Sequence, residues 1–227
     1  MATFVFIHGA GDGGWSWHLV EAALRDGGHH VVAPDLPADE PSARLATYAD
    51  TVVDTIDGRT DLVVVGHSFG GFTAPLVCDR VSARLLVLLA PMIPSPGESP
   101  GDWWSNTGYG REVHPSDDEM ITYYHDVPPA LAAEAMSRQR NHPSETSMRE
   151  PWPLSAWPEV PTRVLIGRED RSFPAPFLRR VCRERLDIVP DEIDSGHCVG
   201  LSRPKQLAER LDSYLAPQSS SDRRRSS

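Results

Sequence analysis

Leu62-Val63-Val64-Val65-Gly66-His67-Ser68-Phe69-Gly70-Gly71 is the stretch on which the fold turns. Leu62 to Val65 is an unbroken aliphatic run, the pattern of a strand buried on both faces of a parallel sheet. Gly70 to Arg80 has helical spacing, with Pro75 either in its first turns or at a kink. Between strand and helix lies G-x-S-x-G, Gly66 to Gly70. Such a turn holds the Ser68 hydroxyl out at the top of the sheet. It strains the Ser68 backbone and needs neighbours without side chains. The helix N-terminus beneath favours negative charge. A chance G-x-S-x-G is the competing reading, and the strand–turn–helix context weighs against it.

The same alternation extends outward. Strands are predicted at Phe4–Ile7, His30–Ala33, Arg84–Leu89 and Arg163–Gly167, with a weak one at Leu186–Val189. Helices are predicted at Trp15–Arg25, Ser42–Ile56, Pro176–Arg185 and Pro204–Leu215. This is an α/β chain with a mainly parallel sheet and helices on both faces. From Met92 to Pro153 the pattern breaks: prolines and aromatics are dense, no strand is convincing, and Ser116–Tyr124 and Pro129–Arg140 are the better helix candidates. The expected organisation is one discontinuous core, 1–91 and 154–216, a lid insertion at 92–153, and a disordered Ser/Arg-rich tail at 217–227.

Composition narrows the function. The chain has 227 residues, 40% hydrophobic and 24% charged, a size and balance that suit one globular domain. A formal charge of -10 is a poor match for a phosphate backbone, so no nucleic-acid partner is expected. No apolar run approaches a membrane span, and mean hydropathy is -0.35. The start, Met1 to Ile7, lacks the charged region and length of a signal peptide. Cys78, Cys182 and Cys198 form neither a disulfide framework nor a CxxC pair. The expectation is a soluble cytoplasmic protein with free thiols, without membrane association, as a monomer or homodimer.

A serine is a weak nucleophile at its free pKa and needs a base held by an acid. In this motif the acid and then the histidine follow the serine along the chain. Asp170 follows the strand at 163–167, and His197 lies in Asp194-Ser195-Gly196-His197-Cys198 before the last helix. Glu169 is the competing acid, pointing the opposite way from Asp170 on an extended chain. His8 and His67 flank the site and are read as loop-fixing groups. His29, His30, His114, His125 and His142 are read as loop or surface residues. No HExxH or i, i+4 histidine pair occurs, so no metal is expected. The oxyanion of acyl transfer needs donors, and the backbone N–H groups of Phe69 and Ala10 are the candidates, with Gly9 allowing close approach. The loop Gly9-Ala10-Gly11-Asp12-Gly13-Gly14 is followed by no Lys-Ser/Thr pair, which excludes a P-loop.

These motifs together resemble the α/β-hydrolase superfamily over nearly the whole chain. They are His8-Gly9-Ala10 with Trp15-Ser16-Trp17, the Gly66–Gly70 elbow, and Gly167-x-x-Asp170-x-x-x-Pro174 with Gly196-His197. The branch most resembled contains plant methylesterases, hydroxynitrile lyases and small bacterial relatives. The resemblance implies about six mainly parallel strands, because the chain starts at the strand usually third. It also implies a Ser68–His197–Asp170 triad, an acyl-enzyme, no cofactor and a small-molecule ester substrate. The lyases carry threonine where this chain has Gly9 and lysine where it has Cys198, so the resemblance is esterase-like at both positions.

For the substrate, Gly9, Met92, Trp103, Trp104, Tyr123, Tyr124 and Leu131 are the candidate pocket residues, within an insertion that also holds Tyr109 and Trp152. Packing of the insertion onto the core is the alternative role of each aromatic. A small to medium hydrophobic ester fits such a pocket. Thioester, lactone, carbon–carbon or cyanohydrin cleavage on the same triad, and a slow-turnover ligand-binding protein, remain as alternatives.

Overall fold

Alternate residues of the central strands enter different cores, which is what buries a sheet on both sides. A computed structural model describes residues 1–140 and 143–216. It contains a six-stranded sheet, with strands β1 (Thr3–Ile7), β2 (His30–Val32), β3 (Leu62–His67), β4 (Ala83–Leu89), β5 (Thr162–Gly167) and β6 (Asp191–Ile193). The order is β2-β1-β3-β4-β5-β6, and every pairing is parallel. Val5, Ile7, Val64, Leu86, Leu88, Val164 and Ile166 belong to one core; Phe4, Phe6, Val63, Val65, Leu85, Val87, Leu89 and Leu165 belong to the other.

Helices α1 (His18–Asp26), α2 (Leu45–Ile56) and α3 (Gly70–Cys78) follow the first three strands in turn. Helix α2 puts Leu45, Tyr48, Ala49, Val52 and Ile56 on one face and buries them in the first core, with α3. Helix α1 contributes Val20 and Leu24 to the second. Helix α3 runs through Pro75, whose ring fits helical φ and costs one backbone hydrogen bond. The chain goes from β1 out to edge strand β2, then returns to place β3 on the other side of β1. This reversal opens a crevice at the carboxyl ends of β1 and β3, the usual ligand position in an open parallel sheet.

Between β4 and β5 the chain makes short helices: α4 (Pro100–Asn106), α5 (Tyr109–Glu112), α6 (Glu119–Thr122), α7 (Pro129–Ser137) and α8 (Glu145–Arg149). Ser99, Asp118 and Ser144 cap α4, α6 and α8 by accepting backbone N–H groups. The helix expected over Ser116–Tyr124 is reduced to a single turn. The insertion is anchored by Trp152, whose indole N–H donates to the Phe72 carbonyl at 3.0 Å, and by a buried Glu98–Arg185 ion pair.

Helix α9 (Ala175–Leu186) precedes β6, and α10 (Val199–Ser202) and α11 (Pro204–Ser213) are the last helices among the described residues. The last strand differs from expectation. Residues 187–189 form no strand, and Asp187 takes a left-handed φ of 52° that ends α9. The strand forms instead at Asp191–Ile193, two exposed-type residues and one apolar, as an edge position permits. Among the described residues no helix is long and apolar enough to cross a membrane. The tail of 217–227 and His142 lie outside the described residues.

Candidate active site

The sharp turn after β3 has a direct steric reason. Ser68 has a positive φ of 51°, strained for a residue with a Cβ. It is held there because its N–H donates to the Leu89 carbonyl at 3.1 Å and its carbonyl accepts from Gly71 and Met92. A Cβ at Gly66 would meet the Gly70 carbonyl at 2.7 Å, and one at Gly70 would meet the Ile7 carbonyl at 2.6 Å. The glycines are thus required by contacts between the turn, β1 and α3. Ser68 is part-exposed, and its hydroxyl makes no hydrogen bond with the described residues.

Asp170 and His197 come from the loops after β5 and β6. The His197 Nδ1–H donates to Asp170 Oδ2 at 2.8 Å. The other carboxylate oxygen, Oδ1, accepts the N–H groups of Ser172 and Phe173, each at 2.8 Å. Both residues are buried, whereas Glu169 is exposed. With the proton on Nδ1, His197 keeps a lone pair on Nε2. Its ring packs between Tyr123, with centroids 5.5 Å apart, and Phe173, at 5.3 Å. A Ser68–His197 hydrogen bond is not formed in this geometry; such bonds commonly tighten only with substrate in place.

Two histidines fix the loops around this pair. The Leu36 N–H donates to His8 Nε2 at 2.9 Å, so His8 carries its proton on Nδ1 and donates it to the Gly9 carbonyl at 2.8 Å. His67 donates from Nε2 to the His197 carbonyl at 3.1 Å. Burial lowers both pKa values, that of His67 to about 3 with His197 adding to the effect, so both rings are neutral near pH 7. The Gly9–Ala10 peptide is trans, so anchoring the Gly9 carbonyl on His8 turns the Ala10 N–H the other way. Neither the Ala10 nor the Phe69 N–H donates to another described residue. Gly9 lies so close that a Cβ there would stand 3.1 Å from the Ser68 Cβ.

Ser68, Phe69, His197, Gly9 and Ala10 line one cavity of about 380 Å³. Met92, Trp104, Tyr123 and Tyr124 line it too. Trp103 does not: it is fully buried against Phe173 and Phe177, and its indole N–H is spent on the Ile93 carbonyl at 3.0 Å. Leu131 also lies outside the lining, packed beneath in a cluster with Tyr124 and Leu201. Both are corrections to the expected pocket. Helical spacing in the insertion did not reveal which aromatic faced inward.

The cavity also holds residues that motif reading passed over: Asp12, Glu119, Arg140, Met148 and Phe173. Burial pushes the Asp12 carboxyl up, opposed chiefly by His8. The Arg140 guanidinium is occupied by Asp35 at 2.6 Å and Asp39 at 2.9 Å. Cys198 lines the wall as well, its thiol pushed well above the usual range by burial and by the charges of Asp12 and Asp170. His125, expected to be an ordinary loop residue, hydrogen-bonds the Glu169 carbonyl at 3.0 Å. Its only advance signal was adjacency to the aromatic pair Tyr123-Tyr124. A more open groove of about 500 Å³ between α1 and α11 contains none of these groups.

Comparison with known proteins agrees with this geometry. A family model described as "Alpha/beta hydrolase family" matches residues 4–210. Norfluorocurarine synthase 1 of Strychnos sp is 25% identical, over 92% of this chain and 93% of that one. A carbendazim hydrolyzing esterase of Nocardioides sp. (strain SG-4G) is 36% identical over 44% of this chain and 46% of its own. Among solved structures, polyneuridine aldehyde esterase superposes with a TM-score of 0.81 at 19% identity, covering 95% of this chain and 100% of that one. An extracellular hydrolase from a Paenibacillus species gives 0.78 at 22% identity, covering 94% and 98%. The chain is an enzyme of the alpha/beta hydrolase family.

Proposed function

We propose that the protein is a serine esterase that cleaves small to medium hydrophobic carboxylic esters. The observation that carries this reading is the buried Asp170–His197 pair, whose histidine lines the same cavity as Ser68. In the first step Ser68 Oγ bonds to the ester carbonyl carbon while His197 Nε2 takes the hydroxyl proton. The free N–H groups of Ala10 and Phe69 hold the oxyanion. His197 then returns the proton to the leaving alcohol, and the alkoxy bond breaks. Water, deprotonated by the same nitrogen, cleaves the acyl-enzyme. Asp170 keeps the Nδ1–H tautomer in place and stabilises the imidazolium.

Several relatives support ester chemistry by name, including the carbendazim hydrolyzing esterase and polyneuridine aldehyde esterase. An Arabidopsis thaliana alpha-hydroxynitrile lyase, 25% identical over 92% of this chain and 95% of its own, is the alternative chemistry. Gly9 leaves no hydroxyl beside Ser68, and the Cys198 thiol supplies no cation next to His197. Both favour ester cleavage over cyanohydrin lysis. Apolar and aromatic walls from Met92, Met148, Trp104 and Phe173 favour an apolar acyl or alcohol group. Nitrophenyl esters of increasing acyl length test the reading, alongside cyanohydrin. The expected result is turnover of short and medium esters, lost by about 10⁴-fold or more in Ser68→Ala. Equal turnover by Ser68→Ala, or lysis of cyanohydrin in preference to esters, would overturn it.

A further inference from the structure

We infer that Asp126, on the insertion, is a positioning residue that sets His197 against Asp170, so the insertion forms part of the catalytic assembly as well as its cover. The inference rests on the triad reading above. Asp126 lies between α6 and α7, and its carboxylate is 7% exposed. Oδ2 accepts the Gly196 N–H at 2.8 Å, from the residue directly before His197. The Ser195 hydroxyl reaches the same oxygen at 3.4 Å and Arg203 lies 3.7 Å away. Oδ1 is buried and has no hydrogen-bond partner among the described residues.

The neighbouring residue grips the other loop. His125 donates from Nε2 to the carbonyl of Glu169, the residue directly before Asp170. Consecutive residues of the insertion therefore hold the backbone of the residue before the acid and of the residue before the base. The fit is tight: a Cβ at Gly196 would stand 2.6 Å from Asp126 Oδ1 and 2.7 Å from His125 Nε2. Glycine at 196 is thus explained by the insertion pressing on the loop. A buried carboxylate with one idle oxygen is costly to keep, and solvent or a neutral side chain would serve mere packing better. Its one strong hydrogen bond goes to the backbone N–H of Gly196, the residue directly before the base.

The test compares wild type, Asp126→Ala, Asp126→Asn and Ser68→Ala. Asparagine retains an oxygen that accepts the Gly196 N–H; alanine does not. Readouts are kcat and KM on a nitrophenyl ester, the pH profile of kcat/KM, thermal midpoint, and the low-field Nδ1 proton resonance of His197. Asp126→Ala should lower kcat about 10–100-fold with KM within about twofold, and broaden or move the resonance in protein that is still folded. Asp126→Asn should recover to within about threefold. Unchanged kcat and resonance in folded Asp126→Ala would overturn the inference. So would equal loss in both variants, which would assign the effect to charge. Continued hydrolysis by Ser68→Ala would overturn the triad reading instead, and the resonance, which needs no turnover, keeps the two failures distinct.

Discussion

At the scale of single residues, the site depends on where protons sit. The tautomers of His8, His67 and His197 are each fixed by a partner that can only donate or only accept: the Leu36 N–H, the His197 carbonyl and the Asp170 carboxylate. Asp170→Asn would offer His197 an amide donor and favour the wrong tautomer. A fall in kcat of about 10⁴-fold, in protein of unchanged circular dichroism, is the expected outcome of steady-state kinetics. Gly9→Ala puts a methyl 3.1 Å from the Ser68 Cβ and 3.4 Å from His67 Nδ1. It should reduce kcat roughly tenfold while the thermal midpoint stays within about 3 °C, because crowding acts at the reacting centre. Ser68, Asp170 and His197 were legible because each lies in a short motif at a strand end. Asp126 was not, since nothing local marks an aspartate as bonded to a peptide 70 residues further on.

Among the elements, the first five strands and α7 (Pro129–Ser137) were legible, and the other helices of the insertion and β6 were not. Leu62–Val65 and Leu85–Leu89 are continuous apolar runs, and both faces of those strands are buried. Helices of four to seven residues, such as α4, α5 and α6, are too short for a periodic signal. Helices α4, α6 and α8 start where Ser99, Asp118 and Ser144 cap them, and Trp103 and Trp152 of the insertion are buried. Residues 186–189 misled for the opposite reason: Leu186, Ile188 and Val189 at and just after a helix end resemble a short strand. The elbow also constrains α3. A Cβ at Gly71 would stand 2.1 Å from the Met92 carbonyl, a backbone atom that cannot yield cheaply. Gly71→Ala should therefore cost about 2–3 kcal/mol, lowering the thermal midpoint by roughly 4–12 °C in a calorimetric scan. A midpoint unchanged within error would show that the helix can lift off the end of β4.

The whole molecule carries the pH response. His67 is buried and neutral, its pKa lowered to about 3, and that of His8 is lowered too. The unfolded chain would bind protons at both below about pH 6.5 while the native protein would not. Their contribution to stability is present above that pH and is lost as pH falls below about 6.5, for His67 on towards its native value of about 3. The slope is up to about 1.4 kcal/mol per pH unit for each group. Urea melts between pH 7.5 and 5 should show this slope, flatter in His67→Gln. Asp12 acts with the opposite sign. Its raised pKa favours the fold at low pH and disfavours it as pH rises through the native value. Asp12→Asn should thus stabilise the protein more at pH 8 than at pH 4. At this scale the α/β layering, the six parallel strands and the family were readable from sequence, because alternation and strand-end motifs repeat along the whole chain. The cavity walls were readable in part: Gly9, Met92, Trp104, Tyr123 and Tyr124 line the cavity but Trp103 and Leu131 do not, because which side of an insertion faces inward is set by packing.

The central claim is that Ser68 is an activated nucleophile. Intact mass after exposure to a fluorophosphonate tests it most directly, on wild type, Ser68→Ala and His197→Ala. A single adduct on wild type, none on Ser68→Ala and slow labelling of His197→Ala is the predicted result. Equal labelling of all three, or no labelling of folded wild type that binds the ester, would contradict the account.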